Sequence, residues 1–453
     1  MTTGRPPRRL LQILGVGFGL AVTVGNTIGA GILRTPGEVA AQLPDPLLFL
    51  GVWVAGGLYA ALGALSIAEL GTMMPRSGGQ YVFARHALGD YAGFIVGWSD
   101  WISTCGTSAA VSVVIAEYTG ALFPALAGQT VPLALAVVFV FALIQWRGVR
   151  WGSNVQQVTT LLKALAFVAL VAACFILGGG EGTTEAAAPA MPTGFGLFVA
   201  FVLALQAVIY TYDGWAGVVY FSEEVRDPAR DIPRSAFGSV LSITAIYLLV
   251  NLALLYVLPM AQIAGSKLAV GAAADAIFGP RGNTVITALT ILSMLSAINA
   301  YQLMASRVLF GMGRDGLFMN QAEAVNKGGT PTVALGISAL VAALFIVGGV
   351  FENSRRIFEN IIAVLAFFFV VNYIMSFISV FVLRRREPER ARPYRAWGYP
   401  WTTGIVLLGS IAFLAGAVAS DTRNSLYALA LLAVSYPVFH LMKQRGQSTE
   451  SSS

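Results

Sequence analysis

Gly25-Asn26-Thr27-Ile28-Gly29-Ala30-Gly31 sits inside the first apolar run of this chain, and Tyr210-Thr211-Tyr212-Asp213-Gly214-Trp215-Ala216-Gly217 sits inside the sixth. Glycine is common in membrane helices, where it lets neighbours approach closely, so either cluster alone is compatible with simple packing. The pair says more. Runs one and six are corresponding members of two sets of five, and glycine-interrupted segments at matching places in two halves point to the binding site of a transporter. Unwinding a helix at mid-membrane frees N–H and C=O groups that something polar must satisfy. The N-terminus of a half-helix offers N–H groups and a positive dipole end to an anion, and a C-terminus offers carbonyls to a cation. A small molecule carrying a carboxylate and an ammonium together, an α-amino acid, would suit both.

The rest of the chain is a membrane protein by composition. Of its 453 residues, 57% are hydrophobic and 11% charged, against about 25% charged in a soluble domain. Apolar runs near the roughly 20 residues that a bilayer demands recur throughout. They predict twelve spans, at residues 12–41, 46–72, 86–118, 131–147, 154–179, 197–222, 236–259, 282–312, 331–350, 357–384, 401–420 and 425–442. The runs do not alternate apolar with polar, which excludes a β-barrel. The net charge of +6 reads as topology rather than as nucleic-acid binding. Arg5, Arg8, Arg9 and the loops after even-numbered spans, with Lys443 and Arg445, hold 21 of the 28 basic residues, while Lys267, Arg281, Arg355, Arg356 and Arg423 lie in the opposite loops. Both termini are therefore expected in the cytoplasm, with the spans crossing the inner membrane of the cell. The expected organisation is a cytoplasmic stretch 1–11, a first repeat 12–179, a second repeat 197–384, two added spans in 401–442, and an unstructured polar tail 443–453.

Several function classes drop out. Cys105 and Cys174 lie in apolar runs and no His or Cys stands at ligand spacing, so no metal or other cofactor is implied. No GxSxG, phosphate loop or nucleophile–base pair suggests an enzyme. A channel usually needs rings of like groups from symmetric subunits, which a single chain with two broken helices does not provide.

Five motifs in order carry a resemblance. They are Gly25–Ile32, then Glu69-Leu70-Gly71-Thr72-Met73-Met74-Pro75-Arg76-Ser77-Gly78-Gly79-Gln80-Tyr81, then Tyr212-Asp213-Gly214-Trp215, then Glu223-Glu224-Val225-Arg226-Asp227-Pro228, and Ile232-Pro233-Arg234. From about residue 12 to 440 the chain resembles the amino acid–polyamine–organocation superfamily, and within it the L-type exchangers and their bacterial relatives. The resemblance implies an all-α membrane protein of the LeuT-like fold, with spans one to five and six to ten as inverted repeats. It implies that the backbone of Thr27, Ile28, Gly29, Ala30 and Gly31 holds a substrate carboxylate. Carbonyls near Thr23–Asn26 and across Tyr210, Thr211 and Asp213 to Gly214 would hold the amine. Tyr210 stands where relatives place an aromatic lid, which implies a gate that closes the pocket by a rotamer change; the alternative is a packing tyrosine. Some animal relatives join a glycoprotein subunit through a cysteine after span three; residues 118–130 hold none, so no covalent heavy chain is expected.

Two charges within spans need accounts of their own. Asp213 could contact the amine or a basic substrate side chain, or could cap a helix restarting at Gly214. Lys163 lies about 14 Å along span five, beyond comfortable snorkelling reach, and at mid-depth would cost about 2.5–3.5 kcal/mol without interior partners. Relatives place a lysine here where sodium-coupled cousins hold sodium. By resemblance its ammonium would bridge first-span carbonyls and hydroxyls of span eight, with Ser293 and Ser296 the candidates and Asn299 one turn on. A buried lysine can also release its proton, so Lys163 permits either exchange or proton symport. Arg34 has no nameable partner. Glu69 and Glu117 read as gate or interface residues, Trp98, Trp101 and Trp215 as packing or interface anchors, and Glu223 and Glu224 as partners of cytoplasmic arginines. Ser108 and Asn299 are candidates for the side-chain pocket. The expected function is transport of L-amino acids by alternating access and by exchange, of neutral ones and, if Asp213 faces the side-chain pocket, of cationic ones; the alternatives are a proton-coupled symporter and a polyamine or amine permease.

Overall fold

The structure is a computed structural model, which describes residues 9–178, 189–349, 354–420 and 422–450, with side chains outside 354–366, 420 and 444–450. Arg5, Arg8, the side chains of Arg355, Arg356 and Arg445, and Ser451–Ser453 lie outside the described residues. Among the described residues the chain is all helical, with no strand beyond two isolated bridges. The helices are α1 (Val16–Thr27), α2 (Gly31–Gln42), α3 (Pro46–Met73), α4 (Gln80–Leu88), α5 (Asp90–Leu122), α6 (Thr130–Trp146), α7 (Val149–Leu177) and α8 (Phe195–Thr211). They continue with α9 (Pro228–Val257), α10 (Met260–Ile263), α11 (Ala269–Phe278), α12 (Gly282–Arg314), α13 (Thr332–Gly348), α14 (Ser354–Arg386), α15 (Trp401–Ser420) and α16 (Thr422–Glu450).

Eight stretches of helix are long and apolar enough to cross a membrane, and α1 with α2, bent by 51° at their break, make a further one. The helices α6, α8 and α13 are also apolar, at 17 residues each. Outward faces along the bundle carry Leu143 on α6, Leu161 on α7, Phe198 on α8, Leu241 on α9 and Leu344 on α13, all exposed. Water would not tolerate so many exposed large apolar side chains on helices this apolar, whereas lipid would. The chain is a multi-pass membrane protein.

Two expectations need correction. The third span begins at Asp90 and not at residue 86, because Gly89, with φ of 99°, ends the separate short helix α4. The α16 backbone stays helical to Glu450, well into the tail 443–453 that its polarity marked as unstructured. Lys, Gln, Arg and Glu there are good helix formers, and extending an existing helix needs no new nucleus.

One face of the bundle is tied shut by ion pairs between segments far apart in sequence. Arg307 on α12 and Glu224 beyond the sixth span are both wholly buried and paired at 2.9 Å through two hydrogen bonds. Arg314 meets Glu223 at 2.6 Å, and Asp315 takes both Arg76 at 2.7 Å and Arg85 at 2.9 Å. Glu69 at the end of α3 holds Arg384 at 2.6 Å and Arg392 at 3.3 Å and accepts from the Ala396 backbone. These assign partners to Glu69, Glu223 and Glu224. Leu14 adds a strap, pairing its backbone with Glu224 and Arg226.

Removing one partner of a buried pair strands the other charge, at about 3–5 kcal/mol. Arg307→Met is therefore expected to lower the thermal midpoint of the detergent-purified protein sharply. The double variant Arg307→Met/Glu224→Leu is expected to recover most of that loss.

Candidate functional site

The two interrupted stretches are breaks, and they cross. The first leaves Ile28, Gly29 and Ala30 outside helix between α1 and α2. In the second, α8 ends at Thr211, turns fill Tyr212–Ala216, and a short 3-10 turn runs over Gly217–Phe221. The helix therefore does not restart at Gly214, and no side chain caps Gly217, so Asp213 is not the cap that one reading gave it. Glycine is required where the breaks touch. A Cβ on Gly31 would lie 3.0 Å from Thr211 Cγ2. Gly214 has φ of 111°, and a Cβ there would lie 2.7 Å from both Asn26 Nδ2 and Thr27 Oγ1.

Freed backbone groups around the crossing find partners from neighbouring helices. Lys163, wholly buried on α7, donates to the carbonyls of Gly25 at 2.9 Å and Ile28 at 2.6 Å. Ser293 donates to the same Ile28 carbonyl at 3.0 Å. Ser296 instead pairs with Thr160 at 2.8 Å and accepts from Gln156 at 3.2 Å. Asn299 lies farther along, donating to Gln156 Oε1 and the Gly152 carbonyl and accepting from Gln145. Ser296 and Asn299 thus do not reach the ammonium. The pairings run antiparallel, so each turn forward on α12 meets a residue one turn back on α7. The spacing of Gln156, Thr160 and Lys163, four and then three apart on one helical face, was a signal for this row.

Tyr247 on α9 was not anticipated. Its hydroxyl lies 3.1 Å from the Thr27 carbonyl and 2.9 Å from the Thr211 carbonyl, one donor shared between the ends of both breaks. The Thr35 and Thr211 hydroxyls pair at 2.8 Å across the same junction. Of the carbonyls expected to hold an ammonium, those of Gly25 and Thr211 are therefore already engaged.

A cavity of about 650 Å³ runs from the breaks toward the exposed residues Arg34 and Glu38 on α2. Thr27, Gly29, Ala30, Gly31, Tyr210, Thr211 and Asp213 line it; Ile28 is wholly buried and does not. The N-terminus of α2 has no side-chain cap, so its first N–H groups stand at this cavity. Tyr210 packs on Phe369 with ring centroids 5.7 Å apart. On the other side of Tyr210 and Asp213 lies a smaller cavity of about 120 Å³, toward the closed face. There Asp213 accepts from Tyr373 at 2.9 Å, and a second intramembrane carboxylate appears, Asp100 on α5, bonded to Tyr220. Asp100 lies mid-span and was legible as a charge within an apolar run. Ser108 and Asn299 line neither cavity; Thr107 and Tyr301, each turned to the lumen, do. Trp215 is buried and stacks on Tyr373 at 4.8 Å, and Trp101 bonds Ser338.

The family model for amino acid permeases matches residues 18–436. This chain belongs to that family. Among similar proteins are a serine/threonine exchanger of Bacillus subtilis, 28% identical over 97% of this chain and 98% of its own, and the mouse b(0,+)-type amino acid transporter 1, 26% identical over 96% and 88%. The mouse Asc-type amino acid transporter 1 is 27% identical over 85% of this chain and 73% of its own. The permease is a transporter and not an enzyme.

Tyr247→Phe keeps the ring packing on Trp53 and Tyr212 and removes the donor shared by the two breaks. Two buried carbonyls then lose a partner, at a cost of about 1–3 kcal/mol. The expected result is a lower thermal midpoint together with a slower transport rate in reconstituted vesicles.

Proposed function

We propose that this permease moves L-amino acids, neutral and cationic, across the inner cell membrane by alternating access, and does so by exchange. The observation that carries the reading is the crossing of two helix breaks beside a cavity open on one side and tied shut on the other. The α2 N-terminus, with its free N–H groups, would take the substrate carboxylate through Gly29, Ala30 and Gly31. The amine would lie at the carbonyl end of α1 near Asn26 and at the second break beside Asp213. Tyr210 would close over the bound substrate by a rotamer change and exclude water.

The finer architecture belongs to the same proposal. The broken pair, the eight long helical stretches and the three shorter apolar helices make twelve spans, of which the first ten form two inverted repeats of the LeuT-like kind. Contacts of α1 with the 3-10 turn of the sixth span, and of α2 with α8, support that arrangement. The closed face bears Arg76, Arg307, Arg314 and Arg384, so by the positive-inside rule it is cytoplasmic. The conformation is then outward-open, and both termini are cytoplasmic. Exchange is favoured by the serine/threonine exchanger among the similar proteins. Proton symport is the second reading, and the observation behind it is Lys163, wholly buried against carbonyls.

Purified protein in liposomes separates the readings. Radiolabelled amino-acid uptake is expected only into vesicles preloaded with unlabelled amino acid, with little effect of a pH gradient. Uptake into empty vesicles driven by inward protons, and lost in Lys163→Ala, would replace exchange by symport. No uptake of any amino acid would overturn the substrate class and point to polyamines or other amines.

A further inference from the structure

The turn between α6 and α7 and the loop 326–330 are locked together at one end of the bundle. Val149 donates its backbone N–H to the Gly328 carbonyl at 2.9 Å, and the Asn326 side chain donates to the Trp146 carbonyl. The Thr330 hydroxyl donates to the Gln145 carbonyl at 2.8 Å. The two backbones meet so closely that only glycine fits: a Cβ on Gly328 would lie 2.6 Å from the Arg147 carbonyl oxygen and 2.5 Å from the Gly148 Cα. This interlock sets Lys327 of the loop beside Arg147 of the turn and Arg150 at the start of α7, and all three are exposed.

These cations are unspent. Arg76, Arg85, Arg307, Arg314 and Arg384 each hold a carboxylate. Among the described residues no carboxylate pairs with Arg147, Arg150 or Lys327. Arg147 instead lies over the Trp151 ring, 5.8 Å from its centroid. The N-terminus of α7 has no side-chain cap, and its positive dipole end adds to the same field. Charge of one sign, held in place and without an acid of its own, attracts an anion.

The surroundings say which anion. Trp146 and Trp151 are 51% and 55% exposed, and tryptophan favours the level of lipid headgroups. An apolar stripe continues from them, with Leu143 on α6 and Val158, Leu162 and Leu165 on α7, all exposed. On α7 these residues follow Trp151 at steps of seven, four and three, which keeps them on one side of the helix. A small free anion would use the cations and leave the stripe bare. A phospholipid uses both, its phosphate at the cations and its acyl chains along the stripe. In the orientation proposed above this end is cytoplasmic, where the leaflet is rich in anionic lipid.

We propose that Arg147, Arg150 and Lys327 form a headgroup site for an anionic phospholipid, with Trp146 and Trp151 at its rim. A role in topology alone would need their charge anywhere on this face; a site needs it at this turn. The inference does not depend on which substrate the permease carries.

The test titrates full-length protein in detergent with dioleoyl phosphatidylglycerol or dioleoyl phosphatidylcholine and counts bound lipid by native mass spectrometry. Wild type is expected to retain phosphatidylglycerol at concentrations at least about tenfold below those that phosphatidylcholine needs. Arg147→Gln/Lys327→Gln is expected to weaken phosphatidylglycerol binding about tenfold and to leave phosphatidylcholine unchanged. Arg230→Gln/Arg234→Gln removes as much charge from the same face, at exposed positions of α9, and is expected to change neither. Equal losses in the two variants would reduce the effect to diffuse surface charge and overturn the site. Equal retention of both lipids by wild type would also overturn it. Glycerol 3-phosphate carries the phosphate without the chains; if it displaces the lipid at the lipid's own concentration, the site is one for a soluble phosphate ester and the lipid assignment falls. Should the double variant at the turn fail to fold, the thermal midpoint of wild type decides: phosphatidylglycerol is expected to raise it more than phosphatidylcholine, and equal effects would overturn the proposal.

Discussion

Backbone polar groups laid bare inside a bilayer must be satisfied, and this constraint governs the centre of the molecule. Two helices are interrupted at the same depth, and the interruptions touch. What holds them open is a small set of donors from outside: the Lys163 ammonium on Gly25 and Ile28, Ser293 on Ile28, and the Tyr247 hydroxyl between Thr27 and Thr211. Each is worth little in water and much more where no water competes. Lys163 is the costliest of them to bury, and its full burial makes sense only because carbonyls freed by the break receive it.

The same logic divides the two ends of the molecule. Toward Arg34 and Glu38 the breaks face a cavity, with helix-end groups left available. Toward Arg307 and Glu224 the polar groups are spent on one another, in ion pairs that join segments distant in sequence. Most are partly exposed and individually weak; the Arg307–Glu224 pair is wholly buried and would have to move or rehydrate for that face to open. A cavity on one side and a lock on the other is the asymmetry on which the proposal of alternating access rests.

Much of this was legible in the sequence, because it rests on local features. Apolar run length marked a multi-pass membrane protein, the two glycine clusters marked the breaks, and an isolated lysine in span five announced interior partners. What escaped depends on helix rotation and tertiary contact. Ser296 and Asn299 share a face with Ser293, yet antiparallel packing carries them to Thr160 and Gln156 and away from the ammonium. Tyr247 looks like any aromatic residue in an apolar helix until the two carbonyls it joins are in place. Ser108 and Thr107 are adjacent, and the 100° between them decides which meets the lumen. Asp100 was readable as a buried charge, but that it borders the same space as Asp213 was not.

Access to the crossing from one side tests the central claim most directly. Ala30 lies at the break and lines the open cavity, while Cys105 and Cys174 are buried. An Ala30→Cys variant in intact cells, treated with a membrane-impermeant thiol reagent, is expected to react from outside and to be protected by amino acids that the protein transports. A cysteine at this position that reacts equally fast with and without every amino acid tried would contradict the assignment of the crossed breaks as the place where substrate binds.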